Sequence, residues 1–166
     1  MLKILKGKKT ILLASLALVL IVLGITACGT SKAANLVKAT WVKPQISGTN
    51  VSISVSDITS KTIVHFPVKV ALGEENFMAY TLGDKLYVRA NVCPPCRSIG
   101  FSLSGDRLVC DTCKTVFNAK TGEGISGACV SYPKAAVAYQ NTDGKLVMKG
   151  EDLVKAYQNT LEQGWP

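Results

Sequence analysis

The sequence predicts a small all-β domain, an antiparallel sandwich or barrel with a short helix at its C-terminal end. Three observations predict it. From Asn50 onward apolar residues alternate with polar ones in short runs, broken by turn signals about every 8 to 12 residues, the rhythm of small sandwiches and barrels. Only the tail, from about Glu151, switches to a helical period. Between them, "VCPPCRSIGFSLSGDRLVCDTCKTVF", residues 92–117, places two Cys-x-x-Cys pairs within 26 residues, each leading straight into a hairpin.

Taken in order, "NVSISVSDI" sets Val51, Ile53 and Val55 on one face and reads as a strand. "TIVHFPVKVAL" and "NFMAYTLGDKLYVRANV" follow, and Gly83-Asp84 predicts a hairpin in the second of these. Gly105-Asp106 turns "GFSLSGDRLV", Asn118 to Gly122 turns "TVFNAKTGEGI", and Asp143-Gly144 turns "AAVAYQNTDGKLVMKG". In "EDLVKAYQNTLEQG", Leu153, Val154, Tyr157 and Leu161 share one helical face; Glu151 and Asp152 suit the helix start and Gly164 its end.

Residues 1–28 read as a targeting segment. Lys3, Lys6, Lys8 and Lys9 form a basic start, and Ile11 to Ile25 an apolar core. Its end, "ITAC" followed by Gly29, resembles a lipobox, the bacterial lipoprotein signal. That resemblance implies cleavage before Cys28 and a lipid on its sulfur. The alternative is an uncleaved membrane helix, since Ile11 to Ala27 is nearly long enough to span. Either way the remainder is tethered outside the cytoplasmic membrane. Residues 29–47, mixed and polar with Pro44, read as a tether, although Trp41 offers another start for the fold; the domain is then 48–166. Without the four leader lysines the chain holds 15 basic and 11 acidic residues, a net charge of +4, ordinary for a domain near an anionic membrane. No basic run is long enough to suggest nucleic acid.

With Cys28 assigned to the lipid, Cys93, Cys96, Cys110, Cys113 and Cys129 remain. Thirteen residues separate Cys96 from Cys110, enough for an out-and-back hairpin that brings the second pair to the first. Four thiolates at one centre suit zinc, a single iron or an iron–sulfur cluster. Disulfides are an alternative in an oxidising compartment, with a fifth thiol left over. A thioredoxin-like dithiol fits poorly, because strand and turn residues rather than a helix follow "CPPC". Pro94 and Pro95 stiffen the first loop, Gly100 gives room for close backbone approach, and Asp111 and Thr112 bend the second. Backbone N–H groups in such loops point at sulfur. Arg97 and Lys114 either offset thiolate charge or lie on the surface. Cys129, in "SGACVSYP", is a fifth ligand, a replacement ligand or a buried thiol. His65, the sole histidine, reads as a packing or surface residue.

The run from "VRANVCPPC" to "GKLVM" resembles a Rieske-type domain, in which a Cys-x-His loop, a hairpin and a Cys-x-x-His loop are followed by segments like "FNAKTGEGISGAC" and "YPKAAVAY". Here both histidine positions are cysteine, Cys96 and Cys113, and the first pair has one extra residue. A two-histidine centre is thereby excluded, and a four-cysteine centre on the same scaffold is not. Val51 to Ile58, His65-Phe66, the two Cys-x-x-Cys pairs and Ser126 to Cys129, in that order, are similar to the FtrD-like family of membrane-associated proteins over about residues 48–150. That resemblance implies an iron–sulfur centre and a place in a membrane system for iron or electron transfer. Many relatives of this kind carry a multi-helix membrane part. A chain with only a lipid anchor is expected to serve a membrane redox or metal-transport partner.

The expectation is a lipid-anchored protein on the extracytoplasmic face of the cell membrane. Cys93, Cys96, Cys110 and Cys113 bind one centre, an iron–sulfur cluster ([2Fe–2S]) or a single iron, with zinc as the alternative. Its role is electron transfer or iron handling; no nucleophile–base pair points to an enzyme. A structural zinc-binding interaction module and a thiol–disulfide protein are the rivals. The leader "LKILKGKKT" has no arginine pair, which fits export of an unfolded chain that takes up its metal outside.

Overall fold

The computed structural model describes residues 35–70 and 73–164. The leader over 1–28, the lipidation site Cys28 and the first residues of the tether lie outside them. In chain order the strands are β1 (Leu36–Val37), β2 (Thr40–Trp41), β3 (Gln45–Ser47), β4 (Asn50–Ser54), β5 (Ile63–Val70), β6 (Gly73–Leu82), β7 (Lys85–Ala90), β8 (Phe101–Ser104), β9 (Arg107–Cys110), β10 (Val116–Asn118), β11 (Gly124–Ser126), β12 (Gln140–Thr142) and β13 (Lys145–Lys149). Helix α1 (Val55–Lys61) follows β4, and helix α2 (Gly150–Leu161) follows β13.

The strands form three sheets with orders β2-β5-β6-β7, β12-β13-β4-β3 and β1-β8-β9-β10-β11. All pairings are antiparallel except β2 with β5. The β5–β6 pair is the middle layer, and its alternation explains why both strands read as nearly continuous apolar runs. Val64, Phe66, Val68, Phe77 and Ala79 face one way, into a core shared with Val51, Ile53, Leu146 and Met148 of the second sheet and Leu153 of α2. Ile63, Met78 and Tyr80 face the other way, into a core shared with Phe101, Leu103, Leu108, Phe117 and three cysteines. Each large apolar side chain buried this way contributes about 1.5–3 kcal/mol. A strand apolar on both faces thus joins two cores and carries the cysteine loops on one of them.

The predicted hairpins form at Gly83, Gly105 and Asp143-Gly144, and the Asn118–Gly122 turn joins β10 to β11. Asp143 (φ 51°) and Gly144 (φ 71°) are both left-handed, as a two-residue turn matched to strand twist requires. Asn118 Oδ1 accepts the N–H of Lys120 at 2.8 Å and of Thr121 at 3.2 Å, which closes its turn locally.

Four expectations need correction. The fold begins at Leu36, because β1, β2 and β3 pair with β8, β5 and β4; the stretch read as a tether therefore supplies three short edge strands. Apart from half-buried Val37 their apolar residues are exposed, so no burial pattern announced them. The strand read through Ile58 ends at Ser54. Val55 and Ile58 lie one helical turn apart, Ile58 is fully buried, and Lys61 pairs with Asp57 across a turn at 2.8 Å, so α1 replaces the last part. "AAVAY" is not a regular strand: Val137 N–H donates to Val88 O and Ala90 N–H to Ala135 O, and β12 starts only at Gln140. On α2, Leu161 is exposed while Leu153, Ala156 and Thr160 are buried; the Thr160 hydroxyl donates to Ala156 O and accepts the N–H of Ala135. Among the described residues no helix is long and apolar enough to cross a membrane.

His65 lies in β5 on the face of the second core, its ring crossing that of Trp41 at a steep angle with the ring centres 5.2 Å apart. Burial lowers its pKa to about 4, against the opposing pull of Asp111 and a hydrogen bond to the Phe101 backbone. A folded-state value below the unfolded one near 6.5 means this contribution is full above pH 6.5 and is lost as pH falls toward 4. The loss reaches roughly 3 kcal/mol. Urea midpoints measured from pH 7 to pH 4.5 should therefore fall more steeply for the wild type than for His65→Gln; equal slopes would contradict it.

Candidate metal centre

The two cysteine loops share one construction. Residues 91–100 join β7 to β8, and residues 111–115 join β9 to β10. In the first loop Cys93 N–H donates to Ser98 O at 2.8 Å; in the second Cys110 N–H donates to Thr115 O at 2.9 Å. The residue after the second cysteine is left-handed in both, Arg97 at φ 56° and Lys114 at φ 60°. Side chains there cost about 1–2 kcal/mol each, which the surrounding hydrogen bonds offset. Asp111 N–H donates to Gly100 O at 2.9 Å and ties the loops to each other. Asn91, fully buried, anchors the first loop by donating through Nδ2 to Ile99 O at 2.7 Å.

Sheet pairing therefore brings together the four predicted cysteines. The sulfurs of Cys93, Cys96, Cys110 and Cys113 all lie within 4.8 Å of one another. Cys96 and Cys110 are 3.7 Å apart, and Cys93 and Cys113 4.0 Å. A metal–thiolate bond of about 2.3 Å gives a tetrahedral sulfur–sulfur edge of about 3.8 Å, so these residues fit a thiolate-bound metal. All five described cysteines are free thiols, and a disulfide would need sulfurs at about 2.05 Å. Cys93 and Cys110 are buried, whereas Cys96 and Cys113 are partly exposed, so the site has an inner and an outer pair.

The electrostatics divide the same way. Burial pushes the Cys93 and Cys110 thiols up, so without a cation they stay protonated. At Cys110 the backbone N–H groups of Cys113 and Thr112 oppose burial. At Cys113 burial raises the thiol too, but hydrogen bonds with the Thr115 side chain and backbone outweigh it and bring it down to about 6. Backbone donors aimed at sulfur are thus present in the second loop, as the sequence suggested.

Cys129 is buried beside this group, its sulfur 3.6 Å from that of Cys113 and its N–H 3.1 Å from Thr115 Oγ1. It stands outside the set of four mutually close sulfurs. Gly127 makes its approach possible: at φ +110°, a Cβ there would come within 2.7 Å of Thr115 Cα. Arg97 and Lys114 are exposed, and the Lys114 ammonium donates to Asp111 O. His65 is buried and stands outside the group of four mutually close sulfurs. Sequence reasoning missed Thr115, Asn91 and above all Lys134, which is 1% exposed with its ammonium 2.9 Å from Val92 O. Its neighbours "YP" and "AAV" carry no local signal; only the fold brings it beneath the cysteines.

A family model described as "Membrane iron-sulfur containing protein FtrD-like" matches residues 55–159. No curated protein matches the chain. Among solved structures, a chain from the complex of reduced oxygenase and oxidized ferredoxin in carbazole 1,9a-dioxygenase is 22% identical, with a TM-score of 0.52, covering 63% of this chain and 95% of that one. The ferredoxin of carbazole 1,9a-dioxygenase from Nocardioides aromaticivorans IC177 is 14% identical over 65% of this chain and 98% of that one, with a TM-score of 0.49. The first likeness is one of fold, and it bears out the Rieske-like scaffold with cysteine at both histidine positions.

Two outcomes follow from the geometry. Cys110→Ser should abolish metal binding, whereas Cys129→Ser should keep it, as measured by metal content per protein; the reverse pattern would reassign the ligands. Gly127→Ala should cost about 1–3 kcal/mol in denaturant unfolding, because it forces a strained φ against Thr115.

Proposed function

Because the chain belongs to the FtrD-like family of membrane iron–sulfur containing proteins, we propose that Cys93, Cys96, Cys110 and Cys113 ligate one iron–sulfur centre that passes single electrons. The observation that carries this reading is the set of four sulfurs within 4.8 Å, on a Rieske-like scaffold in a chain of an iron–sulfur family. The centre supplies the redox change when bound. The chain's own residues hold it, exclude water from its inner side through Phe101, Leu108 and Phe117, and leave Cys96 and Cys113 toward the surface, where a partner can approach. This is an electron-transfer component rather than a catalytic enzyme.

The same reading places the domain on the extracytoplasmic face of a cell membrane, held by a lipid on Cys28. The basic and apolar leader supports it, as does the family's membrane association. The partner is then a membrane redox or metal-transport protein. The short sulfur–sulfur edges also suit a single ion held by all four thiolates, which keeps one iron, or a structural zinc, as the second reading.

Anaerobically purified protein should be coloured, with visible absorption bleached by dithionite. Acid-labile sulfide with iron identifies a cluster, and iron without sulfide a single ion. Colourless protein with one zinc would overturn the electron-transfer role.

A further inference from the structure

Lys134 is buried without a carboxylate in ion-pair range; among the described residues the ion pairs join Lys61 to Asp57 and Lys149 to Glu151. Its ammonium has one hydrogen-bond acceptor, Val92 O at 2.9 Å, the carbonyl immediately before Cys93. The rings of Phe117 and Phe101 lie 4.7 Å and 5.6 Å from it. Aromatic faces and one carbonyl compensate a buried cation only in part. The backbone on either side is fixed: Lys134 N–H donates to Gly122 O at 2.8 Å, and Arg89 donates to Lys134 O at 2.6 Å. Arg89 spends its other donors on the Tyr80 hydroxyl and Lys120 O, so it is a structural cation rather than one turned to the sulfurs.

The missing negative charge is on the same side of the fold. The carbonyl that Lys134 bonds immediately precedes Cys93, and the two rings it lies over pack in one cluster with Cys93, Cys110 and Cys129. Four thiolates carry four negative charges. Before reduction they leave a net −1 inside the protein when bound to a ferric ion, or a net −2 when bound to a cluster core of charge +2. Reduction by one electron adds one more negative charge and moves no proton.

We propose that Lys134 is the buried counter-cation of the centre, a fixed positive charge behind the sulfurs that favours the more negative redox state and so raises the potential at which the centre takes up an electron. This rests on the four-cysteine reading above. Lys134 acts as a positioning and tuning residue and not as a ligand.

The test compares full-length wild type, Lys134→Met and Lys134→Arg, prepared anaerobically. Dye-mediated titration with dithionite as electron donor, followed by visible absorption, gives the potential, and metal analysis gives occupancy. The expected result is equal metal content and a lower potential for Lys134→Met, with Lys134→Arg closer to wild type. The metal-free proteins supply a second readout. Removing an uncompensated buried charge should raise the denaturant midpoint of metal-free Lys134→Met above that of metal-free wild type. Loss of the centre from Lys134→Met but not from Lys134→Arg would support the same role, since the two cations share charge and not shape. An unchanged or higher potential in Lys134→Met, or a lower metal-free midpoint, would overturn it. Wild type that binds no metal would overturn the four-cysteine reading instead.

Discussion

Four sulfurs held within 4.8 Å of one another become an electrostatic load once they lose their protons, unless a cation takes the protons' place. As thiols they are merely crowded; as thiolates in a buried site they lose hydration and repel, and burial accordingly raises both Cys93 and Cys110. A metal that replaces their protons converts that penalty into binding, so metal affinity and the stability of the loops are one quantity. The rest of the site follows from this. Backbone donors act on Cys110 and Cys113, a buried lysine bonds the carbonyl just before Cys93, and aromatic rings pack against the inner cysteines.

Precision at such a site comes from elements that are rigid for other reasons. Each cysteine loop springs from paired strands, and the two are tied by Asp111 N–H to Gly100 O. Beneath them Phe101, Leu108 and Phe117 pack against Met78 and Tyr80 of the middle sheet. Tyr80 also donates to Ala119 O at 2.6 Å and accepts from Arg89, which connects the middle sheet to the segment leading on to Cys129. The cofactor loops are therefore anchored in a core that does not need the metal for its own apolar burial. The inner sulfurs face that core, and the outer ones, on Cys96 and Cys113, are partly exposed, so the site has one edge open to solvent.

What could be read in the sequence was what local chemistry specifies. Asp143-Gly144 dictates a turn by its backbone, and two Cys-x-x-Cys pairs separated by a hairpin dictate a common centre, because a hairpin returns the chain to its start. What could not be read depended on partners distant in sequence. Leu36, Thr40 and Gln45 become strands only because β8, β5 and β4 offer them an edge. Period two in "NVSISVS" hid the helical spacing of Val55 and Ile58. Lys134 looked like any lysine in an edge segment, while Arg97 and Lys114, adjacent to the cysteines in sequence, proved to face solvent. Neighbourhood along the chain identified the four cysteines that come together, and for Arg97 and Lys114 the structure favours the surface reading.

X-ray absorption at the edge of the metal bound to anaerobically purified protein tests the central claim most directly. The account predicts a first shell made of sulfur alone, four atoms at about 2.3 Å, lost together when Cys110 is replaced. Nitrogen or oxygen in that shell, or a protein that holds no metal and whose cysteines are sealed pairwise as S–S bridges, would contradict it.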